Sequence, residues 1–87
     1  MRALALLLAA SLPGAAAAQD WPALYDVTGV AADDALNVRA RPGADAPVVA
    51  TLAPHATGVE VVARDGGWGL VNAGEGSGWA SLRFLAP

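Results

Sequence analysis

From Leu36 the chain alternates in character: Leu36, Val38 and Ala40 fall on one side and Asn37, Arg39 and Arg41 on the other. That two-residue period is the pattern of a strand with one buried face, and Pro42-Gly43 stops it. The same pattern predicts a strand over residues 24–30, where Tyr25, Val27 and Gly29 alternate with Leu24, Asp26, Thr28 and Val30. Residues 31–35 read as a polar, acidic loop. A third strand is expected at 48–52, just after Pro47, because a proline at a strand start removes no central ladder bond. Residues 54–58 read as a turn, and the branched residues of 59–64 as a strand. Asp65-Gly66-Gly67 then signals a tight hairpin leading to a return strand at 68–71. Residues 72–78 read as a flexible connection, 79–81 as a final short strand, and 82–85 as a closing turn with apolar anchors. Nothing in this part has a helical period. Short strands joined by Gly/Pro turns point to a small all-β barrel or sandwich.

The first residues follow another rule. Met1-Arg2 gives a positive start, residues 3–12 are apolar except for Ser11, and Pro13-Gly14 breaks the run before four alanines. This is the layout of a secretory signal peptide. A membrane-spanning helix needs about 20 apolar residues, and this run is shorter. Cleavage after Ala18, with Ala16 and Ala18 in the small-residue positions, leaves Gln19 at the new N-terminus. The expected organisation is therefore a signal peptide over 1–18 and one domain over 19–87, in a periplasmic or secreted product with no membrane attachment after cleavage.

Removing the leader changes the composition. The 55% apolar content of the 87-residue chain owes much to its Ala/Leu-rich start. In the remainder, four arginines oppose eight carboxylates, a net charge of −4 with His55 neutral. Lysine is absent. A nucleic-acid binder needs clustered Lys and Arg to displace counterions from phosphates, so no nucleic-acid partner is expected. Cysteine is also absent, which excludes disulfides and thiolate metal sites. The fold must rest on burial alone.

The ordered set Leu36-Asn37-Val38-Arg39, Pro42-Gly43, Leu52 before a turn, Gly58 before a valine-rich strand, Gly67-Trp68 leading to Val71, and Gly78-Trp79 before Leu85 resembles the bacterial SH3-like (SH3b) domain family. The resemblance runs over residues 24–85. It implies a small SH3-like barrel of five or more short antiparallel strands. It also implies cell-wall (peptidoglycan) peptide as ligand, since related domains target enzymes to the wall. Gly69 departs from the family, which often carries a bulky or aromatic residue there.

The candidate chemistry is binding rather than catalysis. His55 lies in a Pro-His-Ala-Thr turn with no cysteine to partner it, and one histidine without a nucleophile elbow makes no triad. Adjacent Asp33 and Asp34 would point apart on a strand, and no calcium-loop motif surrounds them. The glycines at 74, 76 and 78 precede no helix whose N-terminus could hold a phosphate. No enzyme activity, metal or cofactor is expected.

The candidate ligand-binding residues are Trp68, Arg39 and Arg41. Trp68 follows a glycine-rich hairpin and reads either as a core ring or as the face of a groove. Arg39 and Arg41 share a strand face by their spacing, as a carboxylate clamp or as partners of Glu60 or Asp33 on the surface. Trp79 is expected in the core, because a small barrel needs its large rings inside. Trp21 and Tyr25 either cap the barrel or join a contact surface. The expected partner is a peptidoglycan peptide, with another cell-envelope protein as the alternative.

Overall fold

The computed structural model describes residues 21–87; the expected leader and its cleavage point lie outside the described residues. The chain forms β1 (Ala23–Val27), β2 (Leu36–Arg39), β3 (Val48–Leu52), β4 (Val59–Asp65), β5 (Trp68–Ala73), β6 (Gly76–Ser81), a 3-10 turn (Leu82–Phe84) and β7 (Leu85–Ala86). Seven strands make one sheet in the order β3-β2-β6-β5-β4-β1-β7. Each neighbouring pair is antiparallel. The described residues are all-β apart from the short 3-10 turn, consistent with an SH3-like fold.

The buried face follows the two-residue period. Tyr25 and Val27 of β1, Leu36 and Val38 of β2, Val59 and Val61 of β4, Val71 of β5, Ala80 of β6 and Leu85 of β7 form one cluster. The sheet therefore curls until strands far apart in its order meet over a common interior. Val38, Val61 and Val71 are its largest fully buried side chains. Tyr25 belongs to this core, and half-buried Trp21 packs against it.

Four expectations need correction. The first strand ends at Val27 rather than residue 30: Val27 N–H donates to Ala56 O at 2.9 Å, Thr28 N–H donates to Phe84 O at 2.8 Å in line with the β1–β7 pairing, and the chain then leaves the sheet. Gly29, at φ 71°, completes the departure. The second strand ends at Arg39 rather than Arg41. A bulge falls at this point: Val38 pairs with Ala50 but Arg39 with Val48, so Val49 is an extra residue. Beyond it Ala40 donates to Pro47 O at 2.8 Å and lies exposed.

Residues 72–78 are not a flexible connection. β5 and β6 stay paired up to Ala73 and Gly76, so the turn is only Gly74-Glu75, with Gly74 at φ 63°. Nor is Trp79 in the core. Its neighbours Gly78 and Ala80 face inward, and the indole lies half-buried on the outer face. The reason is space, since a Cβ on Gly78 would come within 2.6 Å of Val38 Cγ1 and 2.8 Å of Arg39 O. β6 crosses β2 so closely that its inner face has room for a hydrogen and a methyl group, not a ring.

Candidate functional site

Directly opposed residues of an antiparallel pair share a face. Trp68, placed at the start of β5 by the Gly66-Gly67 turn, stands opposite Ser81 of β6. Gly69 and Val71 point into the core, so Trp68 and Leu70 point outward. Leu70 opposes Trp79, and Trp79 opposes Arg39. Arg39, Trp79 and Leu70 thus form a row across three strands, beside the row that holds Ser81 and Trp68.

The 3-10 turn is anchored next to this surface. Leu82 N–H donates to Gly67 O at 2.8 Å, joining the turn to the hairpin that presents Trp68. Ser81 caps the turn by accepting the Arg83 N–H on its Oγ at 3.3 Å. The Arg83 guanidinium stands 5.9 Å from the centre of the Phe84 ring, within cation–π range. On the far side, Phe84 lies under the β1–β2 loop, where a Cβ on Gly29 would sit 3.5 Å from Phe84 Cδ1. The same loop carries Asp34, whose Oδ1 accepts the Ala35 N–H at 2.7 Å.

Together these elements border an open groove with a volume of about 540 Å³, lined by Asp34, Arg39, Trp68, Ser81, Arg83 and Phe84 among others. Its size is that of a small-ligand or peptide site. Arg39 is half-buried, and its Nη1 donates to Ala46 O at 2.9 Å, which fixes the side chain with other N–H donors unused. Arg83 has the Phe84 ring as its side-chain partner. Among the described residues neither arginine forms an ion pair with a carboxylate. Glu60, one partner considered for Arg39, instead accepts from Asn72 Nδ2 at 2.6 Å.

The structure brings two of the three sequence-derived candidates together. Arg39 and Trp68 line the groove. Arg41 lies exposed in the bend after β2 and is not among the lining residues, because the strand ends at Arg39 and with it the alternation that would have aligned the two. Arg83, Phe84 and Asp34 were missed. Ser81 two residues before Arg83 is a local capping signal, but nothing in sequence spacing connects residue 83 with residue 39. Gly69 does not interrupt the groove, since it is buried on the opposite face, where a Cβ would meet Leu82 Cδ2 at 2.9 Å and Val61 Cγ1 at 3.1 Å. His55 is exposed in its turn.

Comparison with known families matches residues 34–86 to the family described as Bacterial SH3 domain, more than half of the chain. No curated protein and no solved structure matches.

Proposed function

The chain belongs to the bacterial SH3 domain family, a family of binding modules, and from that premise we propose that it is exported and recognises a peptide of the cell wall through the groove beside Trp68. One observation carries this reading: Trp68, a ring that a small core could have absorbed, instead lines an open groove, beside Phe84, whose half-buried ring also packs on the core, and two arginines that lack carboxylate partners among the described residues. An indole or phenyl face accepts the aliphatic parts of a peptide, and arginine accepts its carboxylates in a fork geometry. Wall peptides carry both. The signal-peptide pattern of residues 1–18 would deliver the protein to the compartment where such peptides occur. No catalytic domain is identified, and the reading assigns no reaction.

Co-sedimentation with purified sacculi tests the proposal, using the exported protein and its Trp68→Ala variant. The parent should pellet with the wall, and the variant should remain mostly in the supernatant while keeping its far-UV spectrum. A parent that stays in solution with sacculi but is retained by envelope protein extract would transfer the function to docking on another envelope protein.

A further inference from the structure

The groove gathers charges of both signs from three separate elements. Arg39 ends β2, Arg83 lies in the 3-10 turn, and Asp34 belongs to the β1–β2 loop. Each is held by a partner that leaves its charge uncompensated. Arg39 is fixed by the Ala46 carbonyl, Arg83 by the Phe84 ring, and Asp34 by a single backbone N–H on Oδ1. Asp34 forms an ion pair with neither arginine, so both signs stay available along one groove. The other arginines stand elsewhere: Arg41 is exposed in the bend after β2, and Arg64 Nε donates to Gly66 O at 2.7 Å.

Two guanidinium groups that line one groove, neither paired with a carboxylate, suit a single anionic group with several acceptor lone pairs. A carboxylate fits that description. A polyanion does not, because the domain carries a net charge of −4 once the leader is removed and would repel it. Asp34 restricts the ligand further, since a purely anionic peptide would place a negative group near a carboxylate of the same sign.

We propose that the groove takes a zwitterionic peptide end, its free carboxylate held by Arg39 and Arg83 and its ammonium group received by Asp34. This rests on the reading of the groove as a peptide site and names the charge pattern of its ligand. Arg83 replaces Arg41 as the second cation.

Three short probes separate the terms: Nα-acetyl-Lys-Ala with a free carboxylate, its C-terminal amide, and the free acid with the lysine side chain also acetylated. Each is titrated into the ¹⁵N-labelled exported protein and followed by amide shifts. The zwitterion should bind at least about tenfold more tightly than the amide, the scale of charge-assisted hydrogen bonds. Arg83→Gln should cut that preference severalfold without changing affinity for the amide, and Arg41→Gln should leave it intact. Asp34→Asn should remove the advantage of the free ammonium group and keep that of the carboxylate. Arg39→Gln also releases the Ala46 carbonyl, so the decision rests on Arg83 and Asp34. Equal affinity for acid and amide, or an Arg83→Gln protein that prefers the acid as strongly as the parent does, overturns the inference. If the parent also sediments with sacculi, that result removes the charge pattern alone; if it neither sediments nor responds to any probe, the peptide-site reading falls with it.

Discussion

At the scale of single residues, the smallest side chain carries the tightest constraint. Gly78 lies where β6 crosses β2, and a Cβ there would stand 2.6 Å from Val38 Cγ1 and 2.8 Å from Arg39 O. Val38 is fully buried and the carbonyl belongs to the backbone, so neither can yield cheaply. Gly78→Ala should cost about 1–3 kcal/mol, the usual penalty for overpacking a filled interior. Gly67→Ala is the control, because nothing lies within 4 Å of its added methyl, and its effect should stay within about 0.5 kcal/mol. Urea unfolding of both variants measures the difference, and equal midpoints would show that the crossing is looser than described. The same crowding accounts for Trp79, whose ring is displaced to the outer face by the lack of room beneath Gly78 and Ala80.

At the scale of elements, the β5–β6 hairpin is the feature hardest to read from its residues. Gly74, Gly76 and Gly78 lower the strand propensity of the segment, and by composition residues 72–78 resemble a linker. In the structure the ladder is unbroken from Trp68↔Ser81 to Ala73↔Gly76, because β5 and β6 are flanked by β4 and β2 and cannot separate without opening the sheet. Hydrogen exchange distinguishes the two descriptions. Alternate amides within residues 72–78 should exchange slowly, in step with those of 68–71, whereas exchange at loop rates throughout would restore the flexible connection. β2 shows the opposite case, where a clean sequence alternation outlasts the strand. The β3 bulge at Val49 lies where β2 ends at Arg39, and Arg41 falls beyond the strand and outside the groove.

At the scale of the whole molecule, one apolar cluster joins residues from six of the seven strands. It contains no buried polar or charged residue among those described. With cysteine absent, stability is of the order of 0.05–0.15 kcal/mol per residue and comes from burial and backbone pairing. Function at this scale depends on where the domain is delivered. The charged start, apolar run and Ala16-x-Ala18 pattern carry the expectation of processing before Gln19. Intact-mass measurement of the protein recovered from outside the cytoplasm should find a chain beginning at Gln19, and one still beginning at Met1 would remove the export step from the proposed function.

The sequence by itself determined the all-β class, the strand at residues 48–52, the hairpin at Gly66-Gly67 and the inward positions Leu36 and Val38. Each follows from local chemistry, a two-residue period or a glycine in a tight turn, which neighbouring residues settle among themselves. It also put Arg39 and Trp68 forward as binding residues. Tertiary structure alone decided which second cation lines the groove with them, which tryptophans stay outside the core and that residues 72–78 are paired. These outcomes depend on the closeness of the β6–β2 crossing and on the packing of the 3-10 turn against the Gly66-Gly67 hairpin. Both are distances between segments far apart in the chain, and residue spacing carries no record of them.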